Sequence, residues 1–437
     1  MAVDRRRFLQ AAGLSVAGGA LSPPALSPLP WQPVARAAGA ERDWAWVRDQ
    51  FDASREWKHF ASFYIASHPR PVREAIEALR REIDRNPYAV VEHGLFHKPE
   101  EVRRAAAEYL GGRPDEVALV RSTTEGLALV YSGLAVRPGQ ELLTTAHDHY
   151  SHHESTRLAA RRSGAGVRRV ALYDRGAEAR EDQIVDRLRR ELRPATRSVG
   201  LTWVHSSTGV KLPVRRLAEV VAEANRSRPA GDRILLIVDG VHGFGVEDEP
   251  VAGMGADFFC AGTHKWIFGP RGTGIVWGRR EAWAELQPTV PAFEMGPYTA
   301  WMAGTEPGPT EAPWMSPGGF HAYEHTWALS AAFAFHREIG RARIAARIRE
   351  LNTQIKEGLA AAPRVKLHTP RDPGLSAGLV AFEVEGLGPE VVVERLAAQR
   401  IVASTSPYRP SYARLAGSLL NAPDEVEAAV RAVRDLA

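Results

Sequence analysis

The stretch DFFCAGTHKWIFGPRGTGIVWG, residues 257–278, decides how the whole chain is interpreted. Residues 257–262 and 274–278 have the apolar composition of buried β-strands. Between them Lys265 follows His264 and precedes an aromatic residue and several glycines. Lysine is rarely placed at the end of a buried strand. An exposed loop lysine is the ordinary alternative, and the neighbouring motifs argue against it.

A second strand places complementary groups beside this lysine. RILLIVDGVHGFG, residues 233–245, carries Asp239 at the strand end and His242 three residues later. Ligands of open α/β sheets bind at the carboxyl ends of the strands. An amine, a carboxylate and an imidazole there match pyridoxal phosphate, which takes a Schiff base from lysine, an acid at its pyridinium nitrogen and a donor at its phenolic oxygen. The glycines of 269–274 do not have the dinucleotide-binding order, and a strand follows them.

The wider pattern predicts an α/β fold with two units. Short apolar runs from residue 117 to 278 alternate with amphipathic stretches, which predicts a mostly parallel seven-stranded sheet covered on both faces. The Pro- and Gly-rich region 288–320 reads as an irregular crossing into a smaller α+β C-terminal domain. We expect an N-terminal segment with a substrate loop at 38–84, a large cofactor-binding domain at 85–300 and the small domain at 301–437.

The first 37 residues resemble a twin-arginine (Tat) export signal. DRRRFLQAAGLSVAGGA at 4–20 sets paired arginines and Phe-Leu before a weakly apolar stretch, and ARA at 35–37 offers a small-x-small cleavage site. The alternative is a basic tail without a targeting role. We expect export by the Tat machinery, after folding, to the periplasm or the exterior.

Composition and charge exclude several kinds of partner. The formal charge is +4, of which the segment 1–37 supplies +3, so only +1 remains for the mature chain. So small a balance implies neither nucleic acid nor an anionic membrane as a partner. The interior of the sequence has no run of about 20 apolar residues that would span a membrane. Cys260 is the single cysteine, which excludes an internal disulfide.

A phosphate site is predicted in LVRSTTEGLALVYSGL, residues 119–134. A strand runs into Ser-Thr-Thr and then a helix, where backbone amides and the hydroxyls of Thr123 and Thr124 can bind an anion. Ordinary capping of the helix by these residues is the alternative.

These motifs together resemble the class V aminotransferases, the fold-type I pyridoxal-phosphate family that includes cysteine desulfurases and isopenicillin N epimerase. The likeness runs from about residue 58 to the C-terminus. The motifs, in order, are HFASFYIASHPRPV (59–72), TTEG (123–126), the His/Tyr segment 147–153, HSSTG (205–209) with LPV (212–214), DGVH (239–242), THKW (263–266), FHAYEHT (320–326) and YARLAGSLLNAPDEV (412–426).

The resemblance implies a role for each matching residue. Lys265 forms the Schiff base, Asp239 pairs with the pyridine nitrogen, and His242 and Ser206 reach the phenolic oxygen. Thr123, Thr124 and His264 bind the phosphate, and Thr326 reaches the phosphate of the neighbouring subunit in a homodimer. Arg414 binds the substrate carboxylate, for which a bidentate fork is suited. Tyr150 stacks over the pyridine ring.

The segment HDHYSHH at 147–153 leaves alternatives open for its histidines. His147, His149, His152 and His153 would flank the pocket, and His152 or His153 could transfer protons, although structural roles are more typical. His149 and His153 have i, i+4 spacing, so a metal site is a further alternative. No carboxylate pattern accompanies them, and we predict no metal.

Departures from the family pattern bear on the reaction. No cysteine follows Cys260, so desulfuration through a persulfide on the protein is disfavoured. Cys260 itself lies in a strand and reads as a small buried residue. His242 replaces the Gln usual in desulfurases, which favours the isopenicillin N epimerase-like branch. Gly262 replaces a frequent phosphate-binding Ser, so we expect Thr263 or a neighbour to compensate.

The sequence therefore predicts an exported enzyme that acts on the α-amino group or Cα of an amino acid or peptidyl substrate. Aminotransferase-like tailoring of a natural product is the first expectation, because the periplasm suits such chemistry better than central amino-acid metabolism. Epimerase or C–S/β-lyase chemistry is the alternative. A catalytically inactive binding protein of the same fold is the alternative from another class.

Overall fold

The computed structural model describes residues 43–437, so the predicted export signal at 1–37 lies outside the described residues. The helices are α1 (Trp44–Asp49), α2 (Arg70–Arg85), α3 (Pro87–Gly94), α4 (Lys98–Leu110), α5 (Thr123–Gly133), α6 (Tyr150–Ser163), α7 (Glu181–Glu191), α8 (Val214–Asn225), α9 (Met295–Ala303), α10 (Tyr323–Ile339), α11 (Arg341–Ala360), α12 (Pro389–Ala398) and α13 (Pro423–Arg434). The strands are β1 (Lys58–His59), β2 (Val117–Val120), β3 (Glu141–Thr145), β4 (Gly166–Val170), β5 (Thr196–Thr202), β6 (Leu235–Asp239), β7 (Phe258–Gly262), β8 (Gly274–Gly278), β9 (Val365–Leu367), β10 (Val380–Val384), β11 (Ile401–Val402), β12 (Ser404–Thr405) and β13 (Ala413–Leu415).

Strands β2 to β8 form one seven-stranded sheet in the order β2-β8-β7-β6-β5-β3-β4. The pairs from β7 through β4 are parallel, and β8 runs antiparallel to both of its neighbours. The prediction of a mostly parallel seven-stranded α/β sheet is confirmed. The carboxyl ends of β5, β6 and β7 consequently meet at one edge of the sheet, which is where a ligand is expected.

Helices cover both faces of the sheet because the buried strands are apolar on both sides. In β6, Leu236 and Val238 join a hydrophobic cluster that contains residues of α7 and α8, whereas Leu235 and Ile237 join a second cluster with α5 and α6. Side chains of a strand alternate between faces, so a continuous apolar run fills both. The polar groups of the predicted site lie where β6 and β7 end.

The C-terminal part contains a four-stranded antiparallel sheet in the order β12-β13-β10-β9. Residues of α11, α12 and α13 pack with this sheet in a third hydrophobic cluster. Strand β1 pairs in parallel with β11, so the N-terminal segment joins this unit before it enters the loop at residues 60–68. The predicted domain boundaries stay predictions, and α10 packs against α2 and α4 across the boundary at residue 300.

The region 288–320, expected to be irregular, contains the nine-residue helix α9. This helix has no charged residue and no buried residue, and the side chain of Trp301 is 75% exposed. Helix prediction from sequence depends on an apolar stripe facing a core, and α9 has none within one protomer. Within residues 43–437, no helix is long and apolar enough to cross a membrane.

His336, in α10, provides a prediction for stability. It is fully buried, its Nδ1 lies 3.2 Å from the Tyr109 hydroxyl, and burial lowers its pKa from 6.5 to about 3. Because the folded state holds the neutral imidazole, this histidine favours unfolding as the pH falls from 6.5 towards 3. The free energy of unfolding should fall by about 1.4 kcal/mol per pH unit in that window.

Urea unfolding between pH 7 and pH 4 tests this, with His336→Asn as the comparison because Asn does not titrate there. The free energy of unfolding of the variant should fall less steeply with decreasing pH than that of the wild type. Equal slopes for the two proteins would contradict the assignment to His336.

Candidate active site

Lys265 and Asp239 come together because their strands are neighbours. Strand β6 ends at Asp239, which is in register with Cys260 of the parallel strand β7. The turn after β7 then returns Lys265 to the same edge, where its Nζ lies 3.3 Å from Nε2 of His242. The three groups predicted from sequence thus share one site.

The electrostatics of this group favour proton transfer. Burial lowers the pKa of Lys265, and Arg414 lowers it further, while Asp239 opposes the change. Burial raises the pKa of Asp239, against the hydrogen bond from the Val241 N–H at 3.2 Å and the charge of Lys265. Both shifts bring the pKa values of this amine and this carboxyl closer to neutral pH, which is what groups that transfer protons require.

His242 is uncharged, and one of its ring nitrogens is free to accept or donate a hydrogen bond. Burial lowers its pKa, and the charge of Lys265 lowers it further. Its Nδ1 is buried without a hydrogen-bond partner among the described residues. Phe63, from the loop after β1, packs 6.1 Å from the imidazole, ring centre to ring centre. A buried orphan nitrogen of this kind indicates a ligand atom that completes it.

The start of α5 forms the predicted anion pocket. Ser122 caps the helix by accepting from the Glu125 N–H at 3.1 Å, so the cap is not Thr123 or Thr124. Thr123 is buried, and its Oγ1 accepts from the Gly262 N–H at 2.7 Å, which leaves its own hydroxyl proton for a ligand. Thr124 is exposed on the first turn.

Tight packing explains why residue 262 is glycine rather than serine. A Cβ at Gly262 would lie 3.0 Å from Cε1 of His264 and 3.3 Å from Oγ1 of Thr123. Of the two options expected to compensate, Thr263 or a neighbour, Thr263 is not available, because its buried hydroxyl donates to the Thr273 carbonyl at 3.0 Å. His264, whose pKa burial lowers to about 4, remains as the neighbouring donor.

Arg414 is held with part of its guanidinium free. Its Nε donates to Ser404 Oγ at 3.2 Å, Nη1 to the Ser206 carbonyl at 2.8 Å and Nη2 to the Thr405 carbonyl at 2.7 Å. Three of five N–H groups are thus used, and one remains on each terminal nitrogen, as a bidentate carboxylate requires. The guanidinium carbon lies 4.8 Å from the centre of the Phe63 ring.

The structure corrects the role expected for Tyr150. Its side chain is 71% exposed on the first turn of α6, so it does not face Lys265 in this protomer. The preceding residue, His149, turns inward, and burial and then the charges of Lys265 and Arg414 lower its pKa. Its Nδ1 accepts from the Ser151 N–H at 3.2 Å, which fixes the ring. Of these two adjacent residues, His149 is thus the one on which the charges of Lys265 and Arg414 act.

The other histidines of 147–153 make structural contacts. His152 is fully buried with its Nε2 2.8 Å from the Tyr131 hydroxyl, and Nε2 of His153 lies 2.8 Å from the Thr145 carbonyl oxygen. The ring of His147 stacks on Tyr173 at 3.9 Å. Among residues 43–437, no group of three or more His, Cys, Asp or Glu side chains is arranged to hold a metal.

Two further predicted residues lie at the edges of the site. Ser206 is buried with its Oγ 2.6 Å from the Tyr408 hydroxyl. Thr326 lies on the first turn of α10, with Oγ1 3.5 Å from Nδ1 of His321. Its predicted contact with a neighbouring subunit stays a prediction. Sequence reasoning placed His149 only among the histidines that flank the pocket, and it missed Phe63 and Tyr408, which reach the site from two other segments.

The residues present match the chemical groups of pyridoxal phosphate. Lys265 offers the amine for its aldehyde, Asp239 a buried acid for its ring nitrogen, and the start of α5 an anion pocket for its phosphate. The buried Nδ1 of His242, which has no hydrogen-bond partner among the described residues, fits a polar atom of such a group. The fold and the site together define a large α/β enzyme of the pyridoxal-phosphate type.

Comparison with known proteins identifies the family. The aminotransferase class-V family matches residues 66–413, which is most of the chain. The chain therefore belongs to the class V aminotransferase family, and pyridoxal phosphate is the cofactor of that family.

Similar proteins carry more than one activity. An isopenicillin N epimerase of Amycolatopsis lactamdurans is 26% identical over 353 residues, which cover 78% of this chain and 84% of the epimerase. A cysteine desulfurase of Cronobacter sakazakii is 28% identical over 332 residues, 73% of this chain and 76% of the desulfurase. The solved cystine C-S lyase C-DES, in complex with cysteine persulfide, has a TM-score of 0.78 at 24% identity, over 88% of this chain and 99% of that chain. The last comparison shows the fold.

Proposed function

We propose that this protein is an exported pyridoxal-phosphate-dependent enzyme that acts on the α-amino group and Cα of an amino acid or peptidyl substrate. The observation that carries the proposal is the convergence of Lys265, Asp239, His242 and Arg414 at one sheet edge. The bound cofactor supplies an electron sink that acidifies the proton on the substrate Cα.

The residues of the chain then have separate tasks. Arg414 binds the substrate carboxylate with its two free N–H groups and thereby places Cα. Lys265, whose pKa is lowered by burial, accepts the Cα proton as general base. Neutral His242, 3.3 Å from the lysine nitrogen, holds or relays a proton there. Phe63 and the loop after β1 exclude water from these groups.

Aminotransferase-like tailoring of a peptide natural product is the reaction we propose first. The Tat-like segment 1–37 supports a site of action outside the cytoplasm. The chain resembles the exported pyridoxal-phosphate enzyme of pyoverdine maturation in three respects: its signal segment, its length and its branch of the family. Epimerisation is the second candidate, supported by the similarity to isopenicillin N epimerases. Transamination and epimerisation differ in the atom, and in the side of that atom, to which the proton returns. Lyase chemistry through a protein persulfide is disfavoured, since the only cysteine, Cys260, is buried in β7.

We also propose a homodimer. Helix α9 and Phe320, which is 81% exposed, leave an apolar surface uncovered in one protomer. Association of two copies through this surface would bring Thr326 to the neighbouring phosphate pocket, as the family resemblance implies.

The absorption spectrum of the mature protein, loaded with pyridoxal phosphate, tests the proposed function. The spectrum is recorded before and after adding amino acids and peptides with free α-amines. A visible band that bleaches to a pyridoxamine species establishes transamination and names a donor. A band that shifts and returns, with solvent deuterium at Cα of a product of inverted configuration, establishes epimerisation instead. Absence of a visible band would overturn the proposal, and activity on free amino acids but on no peptidyl precursor would overturn the tailoring role.

A further inference from the structure

Tyr408 reaches the site from the loop between β12 and β13. Its hydroxyl lies 2.6 Å from Oγ of Ser206, and its ring lies 6.2 Å from that of His149, edge to face. Asp239 and Arg414 are close enough to influence its ionisation electrostatically. The phenol is therefore placed among the groups that surround the cofactor and substrate positions.

The hydrogen bond between the two hydroxyls leaves one proton to donate. Ser206 and Tyr408 carry two hydroxyl protons, and their mutual bond uses one of them. Whichever hydroxyl donates within the pair, the other retains a proton for a third group. Burial raises the pKa of Tyr408, so the phenol stays protonated at neutral pH.

The backbone on both sides of this pair is bonded to Arg414, whose charge also acts on the Tyr408 phenol. The Ser206 carbonyl accepts from Nη1 at 2.8 Å, and the Thr405 carbonyl, in the segment that leads to Tyr408, accepts from Nη2 at 2.7 Å. The two remaining N–H groups of the guanidinium and the remaining hydroxyl proton give this group of neighbouring residues three unused donors. Three convergent donors are complementary to a carboxylate rather than to a neutral group.

We propose that Tyr408 is a substrate-positioning residue, which acts with Ser206 as a single hydroxyl donor and completes the carboxylate site of Arg414. This inference rests on the proposed function. It assigns to the 405–412 segment a part in selecting substrates that carry a carboxylate next to the reacting amine.

Two aminooxy reagents test the proposal without knowledge of the natural substrate. Aminooxyacetate and methoxyamine both condense with the cofactor carbon held by Lys265, release the lysine amine and abolish the visible band, but only aminooxyacetate carries a carboxylate. The ratio of their second-order rate constants therefore reports on the carboxylate site alone. In Tyr408→Phe we expect this ratio to fall about tenfold, since a hydrogen bond to a charged group is lost, while the methoxyamine rate stays unchanged.

Tyr412→Phe is the matched control, because Tyr412 belongs to the same segment but stacks on His368 at 3.7 Å. It should leave both rates unchanged. Ser206→Ala should lower the ratio as Tyr408→Phe does, and the double variant should lower it no further, because the pair acts as one donor. A ratio in Tyr408→Phe within twofold of the wild-type value would overturn the inference while leaving the proposed function intact. A wild-type protein without a visible band would instead overturn both.

Discussion

Lys265→Ala should abolish the visible absorption band of the pyridoxal-phosphate-loaded protein and lower its activity by about a thousandfold or more. The reason is that, in the proposed function, Lys265 would serve twice, as the amine that holds the cofactor covalently and as the base near the substrate Cα. Its Nζ is the amine placed 3.3 Å from His242 and subject to the charge of Asp239. Borohydride reduction should fix the cofactor to the wild-type chain and not to the variant.

Two controls separate this role from charge and from folding. Lys265→Arg keeps a positive charge but cannot form the covalent bond, so it should lose the band as well. Lys366→Ala removes a lysine whose side chain is 70% exposed and should change neither band nor activity. If Lys265→Ala kept the biological role of the protein, the chain would be a binding protein rather than an enzyme.

Asp239→Asn should keep the covalent bond to the cofactor but lower activity by about a hundredfold or more. The carboxylate is 2% exposed at the end of β6, where its charge would pair with a protonated ring nitrogen of the bound cofactor in a medium of low dielectric constant. Asparagine has the same shape without that charge. The visible band should therefore persist while turnover is lost, which distinguishes this variant from Lys265→Ala.

Asp257→Asn provides a matched control for a buried carboxylate. Asp257 is 3% exposed, precedes β7 and accepts from the Leu236 N–H at 2.8 Å, at the opposite end of the strands from the site. Its replacement should lower the free energy of unfolding and leave the catalytic constant unchanged. Equal losses of activity in the two variants would show that Asp239 contributes through folding alone.

The structure differs from the sequence-based expectations where the local direction of the backbone, rather than the composition, decides which side chain faces the site. Tyr150 and His149 are adjacent, and a residue pattern does not tell which of them faces the sheet where α6 begins. Ser122 takes the capping role, which the sequence left open between Ser and Thr. Thr263 has the hydroxyl needed to replace a missing serine, but in the structure that hydroxyl is used by Thr273. Each of these outcomes depends on backbone direction at a single turn.

The sequence by itself determined the α/β class, the seven strands and the choice of Lys265 and Asp239 as site residues, and the family resemblance added Arg414. Buried strands are continuous apolar runs, and the groups at their ends stand out because lysine and aspartate are costly to bury without a task. Only the tertiary structure decided that His149 rather than Tyr150 faces the lysine and that α9 is a helix. It alone brought Phe63, Ser206 and Tyr408 to one place, because these residues come from segments far apart in the chain, and their approach depends on packing that no local pattern records.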